Sequence, residues 1–399
     1  MKSKVVMLLA VAVVVSFAIA ACQPGAQPTA PPVIQATPTL VVGSPTQKPA
    51  ASLTDTVAPQ GQKWNDIVKG AAQEGAVTVY SGAGPAVSDV ITRAMKEKYG
   101  IQAQFVAGLT SEIDAKVMAE RKANLFLADA IVVGGGNLVS DLKPAGALTP
   151  LQPFLVLPEV TDTKAWPGGK LPFYDKNNMS TPLTGAYWSY VLVNSDLVPD
   201  GTIKSYQDLL QPQWKGKIVM FDPTQGGPGK TMCTYFLTYI FGYEKGEAFL
   251  QNLVKQEPTV LKDARQLVEW VAQGKYPVGL AASMAVVPTF KTAGAPVKWI
   301  RMSEGGLVSP AASIFSVADK APHPKAVTVL TNWLLTVEGQ AAISKAYGQP
   351  ATRLGVPSTT DPFQSVVPGE KVYYDDEDFY GQWDKATPVI SRVFAPILK

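Results

Sequence analysis

The sequence has few of the side chains on which metal centres and many hydrolases depend. Its 399 residues include only two cysteines, Cys22 and Cys233, and a single histidine, His323. Two cysteines cannot form a disulfide framework or a thiolate zinc site, and one histidine cannot supply a cluster of imidazole ligands. The composition therefore predicts no metal site, and no cofactor is expected.

Positive charge is not in excess either. There are 35 Lys and Arg residues against 32 Asp and Glu, and only 17% of the residues are charged. Nucleic-acid binding needs a concentrated basic surface, so nucleic acid is not an expected partner. The length is instead that of two or three folded units, with 46% apolar side chains to build their cores.

The first 21 residues have the pattern of an export signal. Lys2 and Lys4 precede an almost entirely apolar run over residues 5–21, which is short for a membrane-spanning helix and suits a secretory signal. The run ends in Ile-Ala-Ala-Cys, which resembles the bacterial lipobox whose cysteine is lipidated after cleavage. We predict a signal peptide over residues 1–21 and a lipid on Cys22. An ordinary cleavage site followed by an accidental cysteine is the alternative.

The segment after Cys22 has the composition of a spacer. Residues 23–60 contain eight prolines and only two charged residues, Lys48 and Asp55. Such a segment has no periodic apolar face to bury, so it is predicted to be an extended linker over residues 22–61. The protein is therefore expected in the bacterial cell envelope, anchored by its lipid to a membrane on the periplasmic or outer side.

The first part of the folded body repeats a strand-turn-helix pattern three times. Apolar β-rich runs at residues 77–80, 103–106 and 130–133 each lead into a small polar turn and then a helical pattern. This order predicts a parallel sheet covered on both faces, in which ligands bind at the carboxyl ends of the strands. The turn residues predicted to bind a ligand are Ser81, Gly82, Thr110, Ser111, Gly135, Gly136 and Asn137. Ser111 and Asp114 are also expected to form a capping box.

The second part continues the same α/β pattern. Strands are predicted at 190–194, 217–221, 278–281, 297–301 and 312–317, and helices at 232–241, 244–256, 264–273, 324–346 and from 378 to the end. The order predicts two lobes. Residues 62–188 and 310–399 would form the first lobe and residues 189–309 the second, with crossing strands at 190–194 and 312–317.

Two groups of motifs carry a family resemblance. The tetrapeptide Trp-Lys-Gly-Lys at 214–217, preceded by Asp-Leu-Leu at 208–210, resembles a signature of extracellular solute-binding proteins of the ferric-ion type. The segments His-Pro-Lys-Ala at 323–326 and Asn-Trp-Leu-Leu at 332–335 resemble the same family, whose order is followed over roughly residues 64–394.

The resemblance implies a type 2 periplasmic-binding-protein fold. This is an α/β clamshell of two lobes, each a mixed, mostly parallel sheet flanked by helices, with two crossing strands. It implies that the protein captures a small solute between its lobes and delivers it to the permease of an ABC transporter. We also expect a monomer without a catalytic residue.

The position of the family's ferric ligands differs here. The ferric binders carry an adjacent tyrosine pair just after the strand that corresponds to 278–281, and this sequence has Ala-Ser-Met-Ala at 282–285. The departure favours a small anionic or oxygen-rich solute over free Fe(III), with ferric-iron transport as the alternative. The pair Tyr373-Tyr374 lies far along the chain, beside an acidic run, and is interpreted as a packing pair before a helix.

A glycine-rich turn at 222–231 supplies the candidates in the second lobe. It is not a nucleotide-binding P-loop, because Thr224 stands where that motif requires glycine. Exposed backbone N–H groups at a helix N-terminus bind anions; a simple tight turn is the alternative. Tyr190 follows Tyr187 and Trp188 at the predicted crossing, where the rings would either sandwich a solute or pack in the core. The predicted ligand-binding residues here are Tyr190, Gly226, Gly227, Gly229, Lys230, Thr231 and Ser283.

A secreted hydrolase on the same scaffold is the alternative from another class of protein. It would need a nucleophile, a base and an oxyanion site that converge in the cleft. His323 is predicted on the connection before a first-lobe helix, away from the strand ends. The sequence therefore favours a binding protein without enzymatic activity.

Overall fold

The computed structural model describes residues 63–398. The predicted signal peptide (1–21), the linker (22–61) and the lipidation site Cys22 lie outside the described residues. Within 63–398, no helix is both long enough and apolar enough to span a membrane.

The elements alternate between strands and helices along most of the chain. The strands are β1 Ala76–Ser81, β2 Gln102–Ala107, β3 Ala130–Val133, β4 Leu148–Thr149, β5 Ser180–Pro182, β6 Ala186–Trp188, β7 Val191–Asn194, β8 Ile218–Phe221, β9 Thr259–Leu261, β10 Val278–Leu280, β11 Val297–Trp299, β12 Gly306–Ser309, β13 Ile314–Ala318 and β14 Val372–Tyr374. The α-helices are α1 Trp64–Glu74, α2 Pro85–Tyr99, α3 Thr110–Lys122, α4 Gly135–Asn137, α5 Pro158–Thr161, α6 Pro228–Tyr235, α7 Gly242–Val254, α8 Ala264–Ala272, α9 Val287–Thr292, α10 Pro324–Leu335, α11 Val337–Tyr347, α12 Glu377–Tyr380 and α13 Trp383–Phe394.

The first sheet has the strand order β2-β1-β3-β13-β4, with β5 also paired to β13. Its first three strands are parallel, and β13 runs antiparallel to β3. All four residues of β3 are buried, as expected for a strand covered by helices on both faces. We call this sheet and the helices packed on it the first lobe.

The second sheet has the order β11-β7-β10-β8-β9. Here β8, β9 and β10 are parallel, while β7 is antiparallel to β10 and to β11. Helix α8 covers it with the buried side chains of Leu267, Val268 and Val271. We call this sheet and its helices the second lobe.

A small third sheet, β14-β12-β6, connects the lobes. The chain passes from β6 to the second lobe through Tyr190, and from β12 to the first lobe through Ala311. Both residues have positive φ, 65° and 52°, which interrupts each strand at that point. The crossing strands are therefore β6 and β12. The predicted crossings at 190–194 and 312–317 fall instead on β7 and β13, which belong to the lobe sheets.

The C-terminal helix α13 packs where the sequence did not place it. The predicted first lobe includes all of residues 310–399, but Ile390 and Phe394 lie in the hydrophobic core of the second lobe, where α13 contacts α6 and α7. The reason is its apolar stripe, in which Ala386, Ile390 and Val393 follow helical spacing and are buried.

Two predicted helices are interrupted. The helix expected over 324–346 is divided into α10 and α11 at Thr336, an extended residue whose hydroxyl accepts a hydrogen bond from Gly339 N at 3.0 Å. The helix expected over 232–241 begins earlier, at Pro228, and from residue 236 continues as a π-helical turn, Phe236–Ile240.

Candidate functional site

The carboxyl ends of β1, β2 and β3 lie on one edge of the first sheet. Their parallel register pairs Ser81 with Ala107 and with Val132, so the turns that follow them are neighbours. A Cβ added to Gly82 would lie 3.0 Å from Thr110 Oγ1. The predicted turns of the first lobe thus meet at this edge.

Some of these turn residues are engaged within their own loops. Ser81 is buried, and its Oγ accepts a hydrogen bond from Ala83 N at 3.0 Å. Helix α3 is capped by Glu112 rather than by the predicted Ser111–Asp114 box, because Glu112 Oε2 accepts from Leu109 N at 2.8 Å. Thr110 remains half-buried and Ser111 exposed at the start of the helix.

The Gly135-Gly136 turn is packed by aromatic rings. A Cβ on Gly135 would lie 1.9 Å from Tyr174 Oη, and one on Gly136 would lie 3.2 Å from the Trp383 ring and 3.3 Å from the Tyr380 ring. Both glycines are buried. In this structure they permit the close approach of side chains from elsewhere in the chain.

The corresponding edge of the second sheet gathers three segments. Register pairs Leu280 with Met220 and with Val191, so the end of β8, the end of β10 and the start of β7 lie together. Ala281 N donates to Tyr190 O at 2.8 Å. Ser283 follows two residues later and is half-buried.

The glycine-rich turn between β8 and α6 is built around Asp222. This buried carboxylate accepts hydrogen bonds from Thr224 N at 2.9 Å and Thr224 Oγ1 at 2.7 Å. Gly227 has φ 120°, and a Cβ on Gly229 would lie 2.6 Å from Phe221 O. The backbone conformation and packing therefore explain both glycines.

The other predicted residues of this turn differ in exposure. Gly226 is exposed, with open space where a Cβ would lie. Thr231 is buried, and its Oγ1 donates to Gly227 O at 2.9 Å.

Lys230 links this turn to the opposite lobe through an aromatic ring. Its Nζ lies 4.4 Å from the centroid of the Trp383 ring, and Trp383 in turn contacts Gly136. Burial lowers the pKa of Lys230, and nearby Asp384 raises it in part. The structure thus brings Lys230 and Gly136 to the same indole ring, an arrangement that sequence spacing did not indicate.

Tyr190 lies inside the core at the crossing. It is fully buried, with its ring centroid 4.2 Å from that of Trp188 and 5.7 Å from that of Tyr235. Its hydroxyl has no hydrogen-bond partner within residues 63–398. Of the two interpretations of this aromatic segment, core packing describes the conformation seen here.

Sequence reasoning missed a buried carboxylate between the lobes. Asp375 accepts hydrogen bonds from Ser309 Oγ at 2.5 Å, Tyr174 Oη at 3.1 Å and Tyr380 Oη at 3.2 Å. Burial raises its pKa to about 7, although these hydrogen bonds oppose the rise. The sequence showed only an acidic run before a helix. That role belongs to Asp376, whose side chain accepts from Phe379 N at 3.0 Å.

The tyrosine pair Tyr373-Tyr374 lies in β14. Tyr373 stacks on Tyr239 with ring centroids 5.0 Å apart and planes at 12°, while Tyr374 is exposed. Of the predicted packing pair, only Tyr373 packs against another ring, and Tyr374 faces solvent.

His323 lies at the opposite edge of the first sheet from the turns. Its Nδ1 is 2.9 Å from Oδ2 of buried Asp129, which immediately precedes the start of β3. His323 itself immediately precedes the first residue of α10, Pro324. The histidine therefore does not approach the strand ends where the candidate residues gather.

Comparison with known proteins gives a family. The sequence model of the bacterial extracellular solute-binding protein family matches residues 121–372, more than half of the chain. No curated protein sequence matches.

Solved structures similar to this chain share its fold at low sequence identity. The iron- and citrate-bound IdiA (FutA) of Trichodesmium has a TM-score of 0.65 at 21% identity, covering 80% of this chain and 99% of that one. Iron-bound HitA from Pseudomonas aeruginosa has 0.63 at 20%, covering 80% and 99%. The periplasmic binding protein AfuA from Actinobacillus pleuropneumoniae, with fructose-6-phosphate bound, has 0.60 at 20%, covering 81% and 98%.

These likenesses confirm the predicted α/β fold of two lobes, and the family match confirms the predicted class of protein. The chain belongs to the bacterial extracellular solute-binding proteins.

Proposed function

We propose that this protein is the solute-binding component of an ABC importer and captures a small solute between its lobes. One observation carries the proposal: the strand-end loops of each sheet adjoin a connection between the lobes. Tyr190 O accepts from Ala281 N at 2.8 Å beside the second sheet. A Cβ on Gly134 would lie 3.6 Å from Ala311 O beside the first. A solute held there would contact both lobes and favour their closure.

The proposed solute is a small anionic or oxygen-rich organic molecule. The predicted residues that are not fully buried offer hydroxyl, amide, backbone N–H and ammonium donors, and they are Gly82, Thr110, Ser111, Asn137, Gly226, Gly227, Lys230 and Ser283. Hydrogen bonds to a charged group contribute about 1.5–3 kcal/mol each. A few converging donors of this kind are sufficient for micromolar capture.

Ferric iron is the second candidate, because two structural neighbours are described with iron bound. The residues after β10, Ala281 to Met284, include no tyrosine whose phenolate could bind Fe(III). We therefore favour an organic solute over iron. Native mass spectrometry of the purified protein should reveal an organic solute. A visible phenolate-to-iron absorption band in protein loaded with ferric citrate would favour iron instead.

Calorimetry tests the role of Lys230. Fructose 6-phosphate and citrate are the probes, and Lys230→Ala should weaken whichever binds by about tenfold, the loss expected for one charge-assisted hydrogen bond. Lys255→Ala is the matched control, because Lys255 is exposed and lies before the start of β9, at the opposite edge of the second sheet. Equal affinities for Lys230→Ala and the wild type would remove Lys230 from the site.

A lipid on Cys22 and a monomeric state complete the proposal. The lipobox-like sequence supports a mature protein tethered by its N-terminus to a membrane of the cell envelope, from which it meets the permease. Cys22→Ala should move the protein from the detergent phase to the aqueous phase in detergent partitioning. Unchanged partitioning would contradict the anchor.

The proposal includes no catalytic step. Its support is the family of binding proteins and the distance of His323 from the strand ends. A sensitive assay for turnover of the solute found by mass spectrometry is the test, and product formation would favour the hydrolase alternative.

A further inference from the structure

A polar groove runs along the first lobe between α3 and the helical segment that follows β3. Its volume is about 560 Å³, within the range of small-molecule sites. It is lined by Ser111, Asp114, Ala115, Met118, Asn137, Ser140, Asp141, Pro144 and Ala145. The last lining residues along the two segments, Met118, Pro144 and Ala145, are apolar, and most of those before them are polar. We call these two parts the apolar end and the polar end of the groove.

Asp114 lies at the polar end as a buried carboxylate. It is 5% exposed, and neither of its carboxylate oxygens has a hydrogen-bond partner in the described part of the chain. Burial raises its pKa to about 6. The Asn137 amide is close enough to lower that pKa but not in hydrogen-bond geometry, and Asp141 raises it further. At neutral pH the groove therefore contains an ionised carboxylate without a counter-charge.

Three basic side chains on the two segments around the groove form salt bridges with acidic residues outside it. Lys116 pairs with Glu120 at 2.6 Å, Lys143 with Glu377 at 2.5 Å, and Arg121 with Asp319 at 3.3 Å. The residues that line the groove include no lysine or arginine. A buried carboxylate without a partner destabilises the folded protein. A ligand with positively charged N–H donors would pair with the carboxylate and offset that loss of stability.

The size and lining of the groove select among cations. Ca²⁺ takes six to eight oxygen ligands in a compact shell, whereas this groove is far larger than one ion and has an apolar end formed in part by Met118 and Pro144. An alkyl or aryl group fits the apolar end while an ammonium group meets the carboxylates. Anions are repelled by Asp114 and Asp141.

We propose that this groove is a binding site for an organic ammonium compound, with Asp114 and Asp141 as its counter-charges and the apolar end holding its hydrocarbon part. Ser111 and Asn137 line the groove and are also predicted to bind the solute, so the groove adjoins the proposed solute site. Its counter-charges Asp114 and Asp141 are not among the residues predicted for the solute, and the groove proposal does not depend on the identity of that solute.

Isothermal titration calorimetry of the purified protein at pH 7.5 tests the proposal with phenethylamine, n-butylamine and cadaverine. At least one amine should bind the wild type. Asp114→Asn should weaken it tenfold or more, as expected for loss of a charge-assisted bond, and Asp141→Asn should weaken it less. Asp89→Asn, an exposed substitution on α2, should leave affinity unchanged. The neutral 2-phenylethanol and the anion 3-phenylpropanoate should not bind.

Several results would overturn the site. These are no heat with any of the three amines, an equal affinity in Asp114→Asn, or binding of 2-phenylethanol as tight as that of phenethylamine. Binding of Ca²⁺ alone that Asp114→Asn removes, without amine binding, would assign the groove to a metal ion instead. Asp114→Asn should also unfold at a higher temperature than the wild type at pH 7.5, because a buried unpaired charge is removed. A lower temperature would show that the carboxylate has a partner.

Discussion

At the scale of single residues, Asp375 joins segments that are far apart in sequence. Its hydrogen-bond donors come from a first-lobe loop (Tyr174), a crossing strand (Ser309) and the C-terminal segment (Tyr380). A carboxyl group whose native pKa is raised binds its proton more tightly when folded. Its stabilising contribution is complete below the unfolded pKa of 3.8 and is lost as the pH rises through about 7.

Asp375→Asn should therefore change the pH dependence of stability. The variant keeps a neutral side chain at every pH, so its free energy of unfolding should exceed that of the wild type increasingly between pH 4 and pH 7. At ~1.4 kcal/mol for each pKa unit, the added difference is at most about 4 kcal/mol. Urea unfolding of both proteins at several pH values measures it. A difference that stays constant with pH would contradict the prediction.

The glycines of the first-lobe turns offer a second test at this scale. Gly135→Ala places a methyl group 1.9 Å from Tyr174 Oη, and such overpacking costs about 1–3 kcal/mol. Gly226→Ala is the matched control, because nothing lies within 4 Å of its added Cβ. Urea unfolding should show the loss only for Gly135→Ala. Equal stabilities would mean that the turn adjusts without cost.

At the scale of elements, α13 is predicted to stabilise the second lobe. Ile390 is buried on its apolar stripe, whereas Ser391 is exposed. Ile390→Ala should cost about 2–5 kcal/mol, and Ser391→Ala should cost little. Hydrogen exchange should then accelerate in α6 and α7 while β1 and β3 stay protected. Faster exchange in β1 and β3 instead would indicate that α13 stabilises the first lobe.

Most elements were predictable because their signals are local. The strand at 130–133 is an uninterrupted apolar run before glycines, and its predicted bounds match β3. The positions where prediction failed depend on distant partners. Tyr190 and Ala311 adopt positive φ without being glycine, and nothing in the flanking sequence requires it.

In the candidate site too, the features with local sequence signals were predictable, and those that depend on distant residues were not. Turns after parallel strands could be predicted to adjoin one another, and Gly82 and Thr110 do. The contact of Trp383 with Gly136 joins residues far apart in sequence, as do the hydrogen bonds of Asp375. The absence of a counter-charge around Asp114 depends on where Lys116 and Lys143 point, which spacing alone does not give.

At the scale of the whole molecule, the two positive-φ residues Tyr190 and Ala311 lie at the connections between the lobes, and we expect them to act as hinges. Small changes at Tyr190 and Ala311 would rotate one lobe against the other, as hinges do. The solute recovered by native mass spectrometry should therefore reduce the radius of gyration in small-angle X-ray scattering. Lys230→Ala at the same solute concentration should show a smaller reduction. Tight binding with an unaltered scattering profile would contradict closure.

The position of α13 also bears on the order in which the chain acquires its structure. The core of the second lobe begins with Ala186 of β6 and is completed by Val393 and Phe394. A polypeptide that leaves the ribosome or an export channel from its N-terminus cannot close that core until its last helix has emerged. The second lobe therefore completes its core only after α13 has emerged, and until then its unfinished apolar surface stays open to chaperones and proteases.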